Sequence, residues 1–294
     1  MTYPAMVLVF LSTFMHAGWN LLARKYRSEE VFFGRMLALI ALIGLVPTIW
    51  SEIATQSITP KAWLCVMGSG FFCGLYFHFL ARSYRSADFT TVYPLVRARP
   101  VLLVGAGHVL RGMPPKSVGW IGLFLISAGC ILSPAYSFRV PSFRSYFTKG
   151  NLMILVTALC TVGYTLLDKM ASEVILQGPA TAARYGYVYL AIAFVTYAIS
   201  FRIFRIEGEG KGKNSIGWPI LLLAACFNFG AYWLVLWAYQ LSQHASYVLS
   251  FRQFSIVIGV IIAFAVYKES GKLVRLTAVS FIATGLILIG FFGG

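Results

Sequence analysis

The sequence predicts an all-α polytopic membrane protein with ten transmembrane helices in two inverted five-helix repeats. Three observations carry that prediction. Apolar residues make up 59% of the 294 residues and charged residues only 11%, with a mean hydropathy of +0.78. Apolar runs of about 20 residues, the length that spans a bilayer, recur with short polar breaks between them. Landmarks of the first half return, in order, in the second. A soluble domain carries about a quarter charged residues, so composition alone excludes that class.

The runs are predicted to span at 4–23, 31–50, 62–82, 89–110, 117–135, 151–170, 184–204, 217–240, 246–267 and 272–292. The first lacks a basic segment before it and is followed at once by Arg24-Lys25, so it reads as a retained span rather than a cleaved leader. The longest break runs from Pro134 to Asn151 and carries Arg139, Pro141, Arg144 and Lys149. It divides the chain into a first repeat at 1–138, a linker at 139–150 and a second repeat at 151–294. A second polar break, Glu207 to Asn214, is rich in Gly, Lys and Glu and reads as a loop.

The landmarks pair at nearly constant offsets. Gly18-Trp19-Asn20 in the first span answers to Gly163-Tyr164-Thr165 in the sixth, and Gly74-Leu75-Tyr76 in the third to Gly230-Ala231-Tyr232 in the eighth. Gly129-Cys130-Ile131-Leu132 in the fifth answers to Gly285-Leu286-Ile287-Leu288 in the tenth, and Arg97 to Arg252. Five helices is an odd number, so the second half enters the membrane from the opposite side. That is the architecture in which secondary transporters hold a site near the midplane.

Charge usage fits this picture. The net charge of +15 is spread over short loops without a contiguous basic face, which argues for orientation in a bilayer rather than a nucleic-acid partner. Loops after odd-numbered spans hold most of the cations, among them Arg24, Lys25, Arg27, Arg205 and Lys272. The even loops hold Lys61, Arg111, Lys116, Lys169 and Arg184. The positive-inside rule therefore places the odd loops in the cytoplasm and both termini outside. Cys65, Cys73, Cys130, Cys160 and Cys226 show no close pairing and read as packing residues, not as a disulfide framework or zinc site. Nine acids in all, with no HxxxxD or HExxH pattern, give no catalytic residue, metal site or cofactor to expect, and set a membrane-embedded lipid enzyme aside.

The candidate site rests on arginines inside apolar runs. A charge at mid-membrane costs from about 3 to more than 10 kcal/mol, so it faces a bundle interior or a wet cavity. Arg97 and Arg99 lie between Pro94 and Pro100 in the fourth run, and Arg252 lies in the ninth. A guanidinium suits bidentate binding of a carboxylate or phosphate; the alternative is that each snorkels to the interface. Tyr93 stands beside the Pro94 break. His16 and Asn20 share a helical face with Trp19 between them, and Tyr164 and Thr165 are their repeat counterparts. Tyr76, His78, Tyr232 and Trp233 suggest an aromatic lining, against which stands an interfacial aromatic belt. Asp168, beside Lys169 near a helix end, reads as a solvated ion pair before a proton relay. Gly70 and Gly74 read as close helix packing.

Taken together, the His16-to-Asn20 turn ending in Arg24-Lys25, Arg35 early in the second span and Val92-Tyr93-Pro94-Leu95 leading to Pro100 resemble the EamA-type branch of the drug/metabolite transporter superfamily. The parallel run to Ser255 and the Tyr267-Lys268-Glu269 end of the ninth span extend the likeness. Where that family closes its fourth span on an acid, this chain has Arg111-Gly112-Met113-Pro114. The resemblance implies a ten-helix transporter, with both termini cytoplasmic in the common drawing, against the loop charges. The expectation is a facilitator or exchanger in the inner (plasma) membrane. It moves a small anionic or zwitterionic metabolite by alternating access, with the bilayer and that small molecule as partners, and works as a monomer or homodimer. A lipid-handling or accessory role is the alternative.

Overall fold

The computed structural model describes residues 2–25, 30–86, 105–107, 109, 112, 114–132, 149–204, 216–255, 257–258 and 272–292. Its helices are α1 (Tyr3–Lys25), α2 (Glu30–Thr55), α3 (Pro60–Ser86), α4 (Ser117–Leu132), α5 (Lys149–Ser172), α6 (Pro179–Ile203), α7 (Trp218–Gln240), α8 (Ala245–Phe251) and α9 (Lys272–Phe292). No strand occurs among the described residues. Helices suit lipid, because a helix satisfies its backbone polar groups within its own segment. Pro60, Pro179 and Pro219 stand in the first turns of α3, α6 and α7, where the missing N–H is one the helix leaves unbonded anyway.

Six helical segments among the described residues are long and apolar enough to cross a membrane: Val31–Thr55, Pro60–Ser83, Leu152–Ser172, Pro179–Ile203, Trp218–Gln240 and Leu273–Phe292. Their outward faces are apolar. Leu42, Val46, Trp50 and Ile53 of α2, and Leu273 and Phe291 of α9, are exposed. In water such faces are an aggregation liability; against acyl chains they are the solvated surface. The protein is an all-α polytopic membrane protein.

Among the described residues helix bounds follow the predicted runs closely, with one departure. The fourth run, 89–110, lies almost entirely outside the described residues, and with it Tyr93, Pro94, Arg97, Arg99 and Pro100. The departure is the ninth run, 246–267, which is not a continuous helix. α8 ends at Phe251, Arg252 and Gln253 form a turn, and helix resumes at Phe254. Irregular backbone at membrane depth is tolerated only where protein or a cavity receives its polar groups. Here the Arg252 and Gln253 amides are taken by Val248 and Ser250 carbonyls.

Packing is driven by close approach, since lipid offers no hydrophobic penalty to drive helices together. Gly70 and Gly74 of α3 press on the backbone of α6 at Tyr189 and Ala193, leaving no room for a side chain. Gly122 and Gly129 of α4 meet Gly285, Ile282 and Ala278 of α9. The contacts are reciprocal between the halves. Gly18 of α1 receives the Phe227 ring of α7, and its counterpart Gly163 of α5 receives the Phe72 ring of α3.

Helix alternation puts the starts of α1, α3, α4, α6 and α8 on one face, with the ends of α2, α5 and α7. That face holds a vestibule of about 840 Å³ lined by Thr2, Lys116, Lys169, Glu173, Gln240 and His244, among others. Thr2 ties α1 to the end of α7 through its bond to the Leu241 carbonyl, 2.8 Å. Gly178 turns the chain from α5 to α6 at φ +137°, a conformation that favours glycine, and its N–H is held by the Gln240 side chain, 2.8 Å.

Candidate functional site

Between α1, α3, α5, α6 and α7 lies a small cavity whose walls include His16, Trp19, Tyr76, Tyr164, Tyr232 and Arg252. His16 is 13 residues into α1 and Tyr232 eight from the end of α7, which sets the cavity about 12 to 20 Å below the vestibule face at 1.5 Å per residue. Cys73, Phe77, Tyr189, Leu190, Asn228 and Ala231 complete the wall. The open volume is about 30 Å³. That is room for about two waters, whereas small-molecule sites hold about 300 Å³ or more, so the cavity is contracted in this conformation.

Local sequence explains the lining. Asn228 and Tyr232 are four residues apart on α7, as are Cys73 and Phe77 on α3 and Tyr185 and Tyr189 on α6, so each pair shares a helical face. Four tyrosines form a continuous aromatic cluster. Tyr164 meets Tyr76, Tyr189 and Tyr232 edge-on at 5.9, 6.1 and 5.9 Å, and Tyr189 stacks on Tyr232 at 4.7 Å.

Arg252 projects into this cluster from the break after α8 and is 8% exposed. Its Nη2 stands 3.3 Å from His16 Nδ1 and its guanidinium carbon 5.6 Å from the Tyr232 ring centroid. Its Nε has no hydrogen-bond partner, and no carboxylate lies within ion-pair reach of it among the described residues. A cation–π contact is worth about 0.5 to 2 kcal/mol, while removing a cation from water costs several kcal/mol. The charge is therefore undercompensated.

His16 is held from two sides. Trp19 Nε1 donates to the same Nδ1 at 3.1 Å. Two donors on one ring nitrogen require that Nδ1 carry the lone pair, so the imidazole is neutral with its proton on Nε2. Asn20 is buried but turned back on its own helix, bonding the His16 carbonyl at 2.6 Å.

One turn nearer the vestibule sits Asp168, 1% exposed. The hydroxyls of Ser69, Tyr185 (2.9 Å) and Tyr232 donate to it. The expected solvated pair with Lys169 does not form. Lys169 turns away to the Tyr239 carbonyl at 3.0 Å and to Glu173 at 3.4 Å. Neighbouring residues on a helix point about 100° apart, which is why a lysine lining the vestibule and a carboxylate facing the core are adjacent in sequence.

Of the sequence-derived candidates, His16, Trp19, Tyr76, Tyr164, Tyr232 and Arg252 meet at the cavity, and Asn20 supports it. Trp233 does not reach it: its indole donates to the Pro179 carbonyl at 2.8 Å, near the vestibule face. His78 lies instead among Phe79, Tyr197 and Phe204. Arg97, Arg99 and Tyr93 lie outside the described residues. Sequence reasoning missed Tyr189, Asn228 and Cys73; the four-residue spacing of Tyr185/Tyr189 and Asn228/Tyr232 was the available signal. Among the described residues no cluster of His, Cys, Asp and Glu is suited to a metal.

Comparison with known proteins agrees with this architecture. Of the solved structures, 26 chains match. One, described only as a crystal structure of a protein, superposes with a TM-score of 0.70 at 11% sequence identity, covering 98% of this chain and 98% of its own. At that identity the likeness speaks for the fold alone. No curated protein matches the chain. Residues 3–133, somewhat under half of the chain, match the EamA-like transporter family, a likeness consistent with a membrane protein of the drug/metabolite transporter superfamily.

Proposed function

We propose that the protein is a carrier for a small oxyanion or zwitterion, a carboxylate or a phosphate or phosphonate compound, which Arg252 binds in the tyrosine-lined cavity. One observation carries this reading. Arg252 is buried and stacked on a tyrosine, and among the described residues its guanidinium is bonded only to a neutral imidazole and left without a carboxylate. Arginines that serve structure in a membrane interior are paired; an arginine held open in a cavity is a site waiting for its anion.

The contracted volume fits a carrier that opens alternately to each side, with the two five-helix halves, 1–138 and 151–294 around a 139–150 linker, rocking about the cavity. The reciprocal seating of Phe227 on Gly18 and of Phe72 on Gly163 supports that division, because each half lends a ring to the other at corresponding places. Arg97, the sequence counterpart of Arg252, is proposed to join it from the fourth span. The plasma membrane is the proposed location.

The test is flux into proteoliposomes of the purified protein across a panel of labelled carboxylates, amino acids and phosphonates. Uptake of an anionic member by the wild type and its loss in Arg252→Ala, with the variant still folded, is the expected result. Undiminished flux in that variant removes Arg252 from the site. Movement of labelled lipid alone turns the reading toward lipid handling.

A further inference from the structure

We propose that Asp168 is a proton-binding site that couples proton movement to anion movement, acting on the cavity through Tyr232. This rests on the anion-carrier reading above and adds a second, cationic ligand to it.

The argument starts from two unpaired charges. Arg252 has no carboxylate, and Asp168 has no cation within ion-pair reach among the described residues; its partners are the three hydroxyls of Ser69, Tyr185 and Tyr232. One side chain touches both. The Tyr232 ring lies under the Arg252 guanidinium and its hydroxyl bonds Asp168 Oδ2. With Asp168 ionised, the empty site is neutral as a whole, one cation against one anion. An incoming anion on Arg252 would leave that low-dielectric region with a net negative charge, and a proton on Asp168 restores neutrality. Each ligand therefore favours the other, and by linkage the preference is reciprocal.

The hydrogen bonds allow the change without rebuilding the site. Toward a carboxylate, Tyr232 donates. Toward a protonated carboxyl, the Asp168 O–H donates and the Tyr232 oxygen accepts, since a phenol does both. The Tyr232 O–H is then released toward the cavity as a donor for the bound anion. Only a proton transfers: it enters from water, the Asp168 O–H bond forms, and the same bond breaks on release.

The surroundings leave Asp168 to do this work. On α3, Cys65, Ser69 and Cys73 face it, with Lys61 near Cys65; on α6, Tyr185 and Tyr189; on α7, Tyr232 and Tyr239. On its own helix Tyr164 lies one turn away, and Lys169 is engaged elsewhere. His16, beyond Arg252, is a poor proton site because a proton on Nδ1 would face the Trp19 and Arg252 donors. The vestibule is lined by Lys169, the residue that follows Asp168 on the same helix.

The experiment uses proteoliposomes of the full chain with a pH dye inside, and labelled succinate and labelled methylphosphonate as probes. In the wild type, net influx of a transported probe acidifies the lumen, and exchange of labelled for unlabelled probe slows as pH rises. Asp168→Asn, which mimics the protonated carboxyl, loses the acidification, and its exchange no longer varies with pH as the wild type's does. Acidification that survives in Asp168→Asn, or wild-type flux with no proton movement, overturns the coupling and leaves the carrier intact. No flux of either probe in the wild type overturns the anion reading and this one with it. Should Asp168→Asn fail to fold, infrared spectra of the wild type decide. A protonated-carboxyl band that grows on acidification and persists to higher pH with succinate supports the site; its absence overturns it.

Discussion

Arg184 and Arg252 are both 8% exposed, yet they are built in opposite ways. Arg184, near the start of α6, is saturated. It pairs with Glu52 at 3.2 Å and bonds the hydroxyls of Ser57, Ser51 and Thr181 at 3.0, 2.8 and 3.1 Å. Glu52 in turn holds the Ser57 hydroxyl and the Ile58 amide. This clasp fastens the α2–α3 turn to α6. Among the described residues the Arg252 guanidinium has one long hydrogen bond and a ring face. The difference separates a guanidinium used up by structure from one kept available, and burial alone would not have told them apart.

The sharpest way to break that contrast is to remove each charge in turn. Arg184→Met strands Glu52 and is expected to cost about 3 to 5 kcal/mol, seen as a large drop in thermal unfolding temperature in detergent. Arg252→Met relieves an undercompensated charge and is expected to leave stability equal or raised while flux is lost. Similar destabilisation by both variants would erase the distinction.

Next in size is Glu52→Gln, which keeps the shape of the clasp but not its charge and is expected to cost about 1 to 3 kcal/mol. A double-mutant cycle with Arg184→Met should show strong coupling between the two, and a cycle with Arg252→Met none. His16→Ala sharpens the other side. It removes the one hydrogen bond that orients Arg252, so the anion's apparent affinity is expected to fall about tenfold, or about 1.4 kcal/mol, with a smaller change in stability. Competition by unlabelled anion in the flux assay reads it directly.

The smallest effect concerns a third basic group, His244, at the vestibule. Burial and the nearby Lys169 charge hold its imidazole below the ordinary value. The unfolded chain therefore binds more protons than the folded one between the two values. Stability is full above the ordinary imidazole value and is lost as pH falls through it to the lowered one. His244→Gln should flatten that part of the stability-against-pH curve, measured by thermal unfolding in detergent.

How much of this was legible beforehand varies with the kind of information. Helix bounds were readable because bilayer thickness fixes span length and polar residues mark the ends: the run 272–292 became α9 at Lys272–Phe292, and 217–240 became α7 at Trp218–Gln240. The cavity was partly readable. Arg252 and His16 stood out as polar residues in apolar runs, and both line it. Asp168 was misjudged because an acid next to a lysine looks like a surface pair on paper. On a helix the two side chains diverge, and only the positions of Ser69, Tyr185 and Tyr232 on three other helices decide that the carboxylate is enclosed. Trp233 was taken for lining because it sits in a span whose repeat partner also carries Tyr at the position of Tyr232; adjacent positions on α7 face different neighbours.

The sequence by itself determined that this chain lives in a bilayer as a bundle of helices, since apolar runs of about 20 residues have the length of a spanning helix, which satisfies its backbone polar groups within its own segment. It also determined which helices could touch closely, by placing glycine at Gly18, Gly74, Gly163 and Gly285. The tertiary structure alone decided which buried charges are spent and which remain open. Whether a guanidinium meets a carboxylate depends on residues far apart in the chain: Glu52 reaches Arg184 across 132 positions, and among the described residues no comparable partner reaches Arg252.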